Sequence, residues 1–244
     1  MSVLLDGRLA ESGLEVDDSP SHIVYLYATN LLWNLFLTST ALHAIVLITS
    51  PIQAVWKWYS TKSSDSDTAL PYLCGFVNSI FWLRYSIFID DIKLILLQSY
   101  AVGMQLLFIF VMLFYRSKKR RLLRTTFCLF AAVFALFSCI DQLSHDSAVR
   151  VTGICASATQ ITGSLICPYL IYRAVCAKVI DFVPFMPVAF TWVMEFHAII
   201  YSIGIHDFYL LTANTVFFFM DGCLLAMFFI YPTQQQGAPA SKHL

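Results

Sequence analysis

The sequence predicts an all-α integral membrane protein with seven transmembrane helices, arranged as two parallel three-helix repeats joined by a linker helix (3+1+3). This prediction rests on the composition, on seven apolar segments and on an internal repeat. Of the 244 residues, 59% are hydrophobic and only 12% are charged, and the mean hydropathy is +0.71. Soluble domains carry about 25% charged residues, so this chain is expected in a lipid bilayer. Its formal net charge of zero gives no indication of a nucleic-acid partner.

Seven segments are apolar enough to be membrane spans, because a helix needs about 20 mostly apolar residues to cross the hydrocarbon core. They lie near residues 33–58, 69–89, 94–115, 126–142, 151–174, 182–203 and 208–231. The fourth segment is short, and the connections at 90–93 and 204–207 are tight. An odd number of spans places the two ends of the chain on opposite sides of the membrane.

The stretch from Pro71 to Tyr115 recurs 116 residues later, which indicates a duplicated unit. Six landmarks keep their spacing in both copies: Pro71 with Pro187, Tyr85 with Tyr201, Asp91 with Asp207, Gln98 with Asn214, Gln105 with Asp221, and Tyr115 with Tyr231. Four crossings separate equivalent positions, so both repeats have the same orientation. Parallel repeats related by an axis along the membrane normal are a transporter arrangement, with the substrate site near the midplane between them.

Lysine and arginine are divided unevenly between the predicted loops. Eleven of the fifteen fall on one side: Lys57, Lys62, Arg116, Lys118, Lys119, Arg120, Arg121, Arg124, Arg173, Lys178 and Lys242. The positive-inside rule makes that side cytoplasmic. The acidic N-terminal tail (1–32) is then extracellular or lumenal, and the C-terminal tail (233–244) is cytosolic. The predicted boundaries between them are 33–116 for the first repeat, 117–150 for the basic cytosolic loop with the linker helix, and 151–232 for the second repeat.

Several classes of function find no support in the residues. The seven cysteines form no close-spaced pairs, so neither a disulfide framework nor a metal site is expected, and no cofactor is expected. No nucleophile, base and orienting group recur together, so the chain is not expected to be an enzyme. A seven-helix receptor would share the topology, but the chain has no Asp-Arg-Tyr after the third span and no Asn-Pro-x-x-Tyr in the seventh.

Short motifs mark both repeats in a consistent order. The first repeat contains Ser50-Pro51, Leu70-Pro71-Tyr72, Asn78 and Phe81-Trp82-Leu83-Arg84-Tyr85. The second contains Cys167-Pro168, Val179-Ile180-Asp181-Phe182-Val183-Pro184-Phe185, Asp207 followed by Asn214, and Tyr231-Pro232. In this order and spacing, from about Phe36 to Pro232, the motifs resemble those of the SWEET (MtN3/saliva) family of sugar transporters.

The resemblance implies facilitative, bidirectional transport (uniport) of a mono- or disaccharide by alternating access. A sugar is neutral and covered in hydroxyl groups, so amides that both donate and accept hydrogen bonds suit its site. By position in the family pattern, the implied substrate-binding residues are Gln98, Asn214, Trp82, Ala198 and Asn78. Gln98 stands where the family has asparagine, so the pocket is expected to be narrower and the identity of the sugar stays open.

The same pattern implies a gate and a set of hinges. The extracellular gate pairs Tyr85 with Asp207 and, by symmetry, Tyr201 with Asp91, since a phenol donating to a carboxylate is a strong but breakable bond. The hinge candidates are Pro51, Pro71, Pro168, Pro184 and Pro187, because proline lacks a backbone donor and bends helices. For the sixth helix, motif likeness selects Pro184 and the 116-residue offset selects Pro187.

Four ionisable residues fall inside the predicted spans: Glu195, His197, Asp221 and His43. Such a residue is a functional hypothesis by default, because burying it costs about 2.5 to 3.5 kcal/mol. Glu195 corresponds to Ser79 in the first repeat, and a sugar needs no compensating charge. We therefore expect Glu195 to be protonated or paired and the flux to be insensitive to a proton gradient.

Other interpretations stay open at this point. They are a proton-coupled sugar carrier, and a non-transporting receptor, scaffold or trafficking partner that keeps the fold without the pocket. The plasma membrane is favoured as the location, with the Golgi or another endomembrane as the alternative. Homo-oligomers are compatible with the modest lateral surface of each three-helix repeat.

Overall fold

The computed structural model describes residues 30–231. Most of the predicted N-terminal tail, the predicted C-terminal tail and Pro232 lie outside the described residues. Within the described range the chain forms helices and no strand: α1 (Leu31–Thr49), α2 (Ile52–Thr61), α3 (Leu70–Phe88), α4 (Ile92–Tyr115), α5 (Lys119–Ile140), α6 (His145–Ser164), α7 (Ile166–Ala177), α8 (Phe185–Gly204) and α9 (Phe208–Ile230).

These helices form seven spans, because α1 with α2 and α6 with α7 each follow one another in a single broken helix. In the described part of the chain, six of the seven are long and apolar enough to cross a membrane by length and composition. The remaining one, α3, carries polar residues such as Asn78 and Arg84 along its length. The predicted fold class, an all-α protein with seven helical spans, is confirmed.

Two spans are broken near prolines, at nearly equivalent places in the repeats. Pro51 separates α1 from α2, and α7 begins two residues before Pro168. The other three candidate hinges lie at helix starts: Pro71 and Pro187 are in the first turns of α3 and α8, and Pro184 immediately precedes α8. Proline is tolerated there, since the N–H it lacks would have no helical partner. These three prolines mark helix boundaries and do not bend a helix interior.

The backbone of the described residues repeats the 116-residue offset independently of side-chain chemistry. Its non-glycine residues with positive φ are Lys62 (54°), Asp90 (52°), Lys178 (59°) and His206 (58°), which form two pairs 116 residues apart. L-residues adopt this left-handed conformation only rarely. Finding it twice at matching positions indicates that each repeat makes the same tight turns, one after its first span and one between its second and third.

The linker helix α5 begins seven residues earlier than predicted, so Lys119, Arg120, Arg121 and Arg124 lie on its first turns and not in a loop. Likewise α6 begins at His145, ahead of the predicted 151. Polar and basic residues can be helical, but the predicted spans were placed by hydropathy, which detects only the apolar part of a helix. The predicted starts of both helices were therefore too late.

The linker helix packs against α3 of the first repeat. Phe76 stacks on Phe130 with ring centroids 4.4 Å apart, and Phe81 meets the edge of Phe137 at 5.2 Å. At the end of α5, Asp141 forms an ion pair with Arg84 of α3. The first repeat and the linker helix therefore form one packed unit.

The bundle has two ends that pack differently. The turn end holds the α3–α4 turn (89–91) and the α8–α9 turn (205–207), and the basic end holds the α4–α5 connection (116–118). Near the turn end, one core cluster combines residues of both repeats: Phe81, Trp82, Tyr85, Leu94, Ala156, Tyr201, Leu210 and Ala213. At the basic end the repeats contribute to separate clusters, one around Trp58 and Met112 and one around Ile180 and Leu224. A shared core therefore joins the two halves at the turn end, whereas each half has its own core at the basic end.

Candidate substrate cavity

A cavity of about 420 Å³ lies between the two repeats. All five residues predicted to bind substrate line it: Asn78 and Trp82 from α3, Gln98 from α4, Ala198 from α8 and Asn214 from α9. The structure thus brings together side chains that are up to 136 positions apart in the chain (78 to 214). Their role in binding stays a prediction.

The two equivalent amides, Asn214 and Gln98, have different surroundings. Asn214 is only 5% exposed; its Oδ1 accepts from Gln160 Nε2 at 2.7 Å and its Nδ2 donates to Ser202 Oγ at 3.3 Å. The Gln98 side chain forms no hydrogen bond with any described residue. Asn214 is therefore held in place by protein contacts, and Gln98 presents a free amide to the cavity.

Gln160 on α6 belongs to the cavity and was missed by the sequence reasoning. It lines the cavity beside Asn214, and its neighbour Thr159 donates through Oγ1 to Asn78 Oδ1 at 3.3 Å. The offset comparison could not find Gln160, because the equivalent residue in the first repeat is Ala44. The available signal was an uncharged amide inside an apolar span, which is a common form of interhelical contact.

Aromatic side chains form the apolar wall of the cavity. Trp82 is 1% exposed as a residue, and its ring meets the edge of Tyr85 with centroids 5.7 Å apart. The position equivalent to Trp82 in the second repeat is Ala198, so the large tryptophan of the first repeat has only a methyl group as its counterpart. At a second pair of equivalent positions the order is reversed, with Ala101 in the first repeat and Phe217 in the second, so across these two pairs each repeat contributes one large aromatic side chain to the lining.

Two tyrosine–aspartate pairs join the repeats at the turn end. Tyr85 Oη donates to Asp207 Oδ2 at 2.6 Å, and Tyr201 Oη donates to Asp91 Oδ2. Each bond crosses from one repeat to the other, from α3 to α9 and from α8 to α4. The structure therefore assembles both predicted gate pairs, and their action as a gate stays a prediction.

Each gate aspartate also caps its own helix. Asp207 Oδ1 accepts from the backbone N–H of Leu210 at 2.7 Å, at the start of α9. Asp91 Oδ1 accepts from the N–H groups of Lys93 and Leu94 at the start of α4. Capping satisfies helix donors that have no partner within the helix. One carboxylate oxygen thus stays with its own helix while the other is available to the opposite repeat.

Close packing around Tyr85 depends on a glycine of α6. A Cβ atom at Gly153 would lie 2.6 Å from Tyr209 Cδ2 and 2.9 Å from Tyr85 Cε2. These separations are shorter than any van der Waals contact, so only glycine lets α6 approach the two rings. The approach holds Tyr85 in position to reach Asp207.

The ionisable residues predicted inside the spans divide into two groups. Glu195 lines the cavity, and its Oε2 atom is buried without a hydrogen-bond partner in the described part of the chain. Asp221 is 5% exposed, lies outside the cavity lining and accepts from Cys167 Sγ at 3.0 Å. His43 and His197 stack on one another with centroids 5.1 Å apart where α1 meets α8. Of the four, Glu195 is the one placed to meet a substrate.

The profile of a family described as sugar efflux transporter for intercellular exchange (MtN3/saliva) matches residues 34–121. The sugar transporter SWEET1 of Drosophila pseudoobscura pseudoobscura is 23% identical over 220 residues, which cover 86% of this chain and 94% of that protein. The bidirectional sugar transporter SWEET12 of Oryza sativa subsp. japonica is 21% identical over 206 residues, covering 82% of this chain and 68% of that protein. This chain is therefore similar to the SWEET family, in its first repeat by the family profile and over most of its length by these relatives.

The solved 3.7 Å structure of a eukaryotic SWEET transporter has the same fold, with a TM-score of 0.70 and 19% identity, over 81% of this chain and 97% of that one. The SWEET relatives are transporters and not enzymes. These likenesses favour neither a receptor nor a scaffold.

Proposed function

We propose that this chain is a facilitative, bidirectional sugar uniporter. The observation that carries the proposal is the cavity between the two repeats, lined by four uncharged amides and a tryptophan. Cavities of this size class take small molecules and bury most of their surface. The SWEET relatives, which are named as sugar transporters, support the same substrate class.

The lining suits a neutral, hydroxyl-rich ligand. Amides offer donors and acceptors together, so they match hydroxyl groups that do the same. We assign Gln98 and Asn214 as the principal partners of the sugar hydroxyls, with Asn78 as an additional amide. Trp82 supplies the face against the C–H groups of the ring, and the small Ala198 leaves room opposite.

Alternating access follows from the difference between the two ends. Because one core joins the repeats at the turn end and separate cores form at the basic end, we infer that the cavity opens towards the basic side. Breaking the Tyr85–Asp207 and Tyr201–Asp91 bonds would release the turn end, and closing the basic end would complete the exchange. The helix breaks next to Pro51 and Pro168 supply matched flexible points for this rocking motion.

The basic end is proposed to face the cytosol. Lys57, Arg116, Lys118 and Lys178 cluster there, as the positive-inside rule requires of cytosolic loops. The turn end, with its gate, then faces the outside or the lumen. Of the membranes that fit this topology we propose the plasma membrane, with the Golgi as the alternative, and assembly into homo-oligomers is compatible with either.

Purified protein in liposomes tests the function directly. Radiolabelled glucose and sucrose should each be offered inside or outside, and flux compared with that of empty liposomes. We expect saturable flux of at least one sugar in both directions, ending at equal concentrations. A receptor or scaffold would give no flux above the empty liposomes, and that result would overturn the proposal.

A further inference from the structure

We infer that Glu195 gives this cavity a second class of substrate, sugars that carry an amino group, whose ammonium replaces a proton on the carboxyl. The inference rests on the proposed function and deepens it. It starts from an asymmetry: Glu195 of α8 and its equivalent Ser79 of α3 both line the cavity. One side of the site therefore presents a carboxyl where the other presents a hydroxyl.

No side chain of the described residues neutralises this carboxyl. Glu195 Oε2 is buried with no hydrogen-bond partner, and none of the ion pairs in residues 30–231 includes Glu195. The neighbouring ionisable group is Asp221 of α9, which is another acid and accepts a hydrogen bond from Cys167. An orphaned acceptor with an acidic neighbour is suited to a ligand that brings positive charge and donors.

The remaining groups around the cavity are neutral or remote. The uncharged polar side chains that α1, α4, α6 and α9 contribute to the lining are Thr40, Gln98, Gln160 and Asn214.

The one lysine in the lining, Lys93, lies in the first turn of α4, two residues after Asp91. The partner of Asp91, Tyr201, lies six residues from Glu195 along α8, about 9 Å of helix rise. Lys93 therefore belongs to the turn end of the cavity. The imidazoles of His43 and His197 stack on one another between α1 and α8, and neither residue lines the cavity.

An ionised carboxyl in such a place is costly, so it is occupied by a proton or by a cationic group. With a neutral sugar in the cavity, Glu195 keeps its proton and the O–H donates to the ligand. With an amino sugar, the proton leaves Glu195 for the aqueous phase and the ammonium pairs with the carboxylate. The charge on the loaded protein is unchanged in both cases, and one proton is exchanged for each amino sugar bound.

Three probes that share the glucose ring test this: glucose, glucosamine and the neutral but larger N-acetylglucosamine. Uptake of each is measured in liposomes with the wild-type protein and with Glu195→Gln, which keeps the shape and removes the charge. We expect glucosamine uptake to exceed N-acetylglucosamine uptake in the wild type. In Glu195→Gln that ratio should fall by about tenfold, the effect of losing one charge-assisted bond, and glucose uptake by the same liposomes normalises for the amount of active protein. A pH-sensitive dye should report counter-movement of protons with glucosamine in the wild type only.

Asp221→Asn is the matched control, because it removes the other carboxyl without changing the cavity lining. Its ratio of glucosamine to N-acetylglucosamine uptake should stay at or above that of the wild type. If wild type and Glu195→Gln carry glucosamine equally, or if Asp221→Asn loses the ratio to the same extent, the inference is wrong while sugar transport stands. Absence of flux for all three probes and for sucrose would instead overturn the proposed function, and this inference with it; flux of sucrose alone would overturn only the inference.

Discussion

Asn214 and Gln98 occupy equivalent positions, yet a substitution at each would have different consequences. Asn214 is bonded to Gln160 and Ser202, so it both faces the cavity and ties α9 to α6 and α8. Gln98 has no partner in the described chain, so its amide is available to a ligand at no cost to the protein. At this scale the offset of 116 predicted the pair, but the partner of Asn214 depends on a third helix.

The first prediction concerns Asn214→Ala. The change removes an amide from the cavity and leaves Gln160 without its acceptor, and an unpaired buried polar group costs about 1 to 3 kcal/mol. We expect sugar uptake in proteoliposomes to fall about tenfold or more, with the protein still present in the membrane. Thr215→Ala, on the next residue of α9 and outside the cavity lining, should keep near wild-type uptake. Normal uptake by a well-expressed Asn214→Ala protein would contradict the assignment.

A second prediction at the residue scale concerns Asp67, in the α2–α3 connection at the basic end. Lys57 Nζ donates to Asp67 Oδ1 at 2.8 Å, and the buried Trp58 donates through Nε1 to Oδ2 at 2.6 Å. These bonds, from Lys57 first and Trp58 second, hold the pKa of Asp67 below its usual range. Because the unfolded chain has the higher pKa, about 3.9, this stabilisation is complete above that pH and is lost as the pH falls through the folded-state value.

Thermal unfolding in detergent between about pH 5 and about pH 3 measures the effect. The wild type should lose about 0.2 to 1 kcal/mol more stability than Asp67→Asn over this range, as partly exposed ion pairs do. Asparagine still accepts from Trp58 but does not titrate here, so it isolates the charge. Parallel loss in the two proteins would show that Asp67 contributes nothing to the pH dependence.

At the scale of helices, each gate aspartate serves two elements at once. Asp207 caps the start of α9 and accepts a hydrogen bond from Tyr85 of α3. Asp91 caps the start of α4 and accepts one from Tyr201 of α8. The capping bond within each helix does not depend on the phenol. Opening the turn end therefore requires the loss of two cross-repeat bonds and leaves the helix starts intact.

Tyr85→Phe should shift the population towards states open at the turn end, since it removes the hydroxyl and preserves the ring. A hydrogen bond to a charged group contributes about 1.5 to 3 kcal/mol. Labelling of Leu210→Cys, a buried position that lines the cavity, by an impermeant thiol reagent from the turn side should therefore rise about tenfold. Tyr209→Phe is the control, because the Tyr209 ring packs edge-on against Tyr85 and its hydroxyl bonds to no described residue. Unchanged labelling in Tyr85→Phe would place the gate elsewhere.

Two glycines of α6 provide a matched test of helix packing. Gly153→Ala forces a Cβ atom into Tyr209 and Tyr85 and should cost about 1 to 3 kcal/mol, as overpacking does. Gly163 has no atom within 4 Å of the corresponding Cβ position, so Gly163→Ala should be neutral or stabilising by up to about 1 kcal/mol. Melting temperatures of the two variants in one detergent give the comparison. Equal effects would mean that the close approach of α6 at Gly153 is unimportant.

For the molecule as a whole, the fold combines symmetric repeats with asymmetric contents. The turn conformations and the gate pairs recur at the 116-residue offset. The linker helix, however, packs on the first repeat, and the carboxyl of Glu195 belongs to the second. If the halves rock as proposed, the moving units are a four-helix half and a three-helix half, with the cavity between them.

Uniport of neutral sugars is the prediction at this scale. Glu195 needs neither to gain nor to lose a proton when a neutral ligand binds, so glucose should equilibrate to equal concentrations with or without an imposed pH difference. Glu195→Gln should behave in the same way. Glucose accumulation driven by a pH difference, and abolished in Glu195→Gln, would establish a proton-coupled carrier and contradict the uniport assignment.

The spans, the duplication and the candidate residues Gln98, Asn214, Tyr85 and Asp207 could all be predicted from the amino-acid sequence. Crossing a bilayer is a local requirement on about 20 consecutive residues, and a duplication keeps its spacing in the chain. The starts of the helices were harder to predict from the sequence, because the first turns of α5 are helical but basic, and a search for apolar segments misses them.

Which side chains meet could be seen only in the folded protein. Contacts such as Gln160 with Asn214, and the close approach of Gly153 to Tyr85, join helices that are far apart in sequence. The same holds for the missing partner of Glu195, since an absent neighbour is a property of all the surrounding helices together. Which end of the bundle joins the halves also depends on packing between them, since the core at the turn end combines residues of both repeats and the cores at the basic end do not.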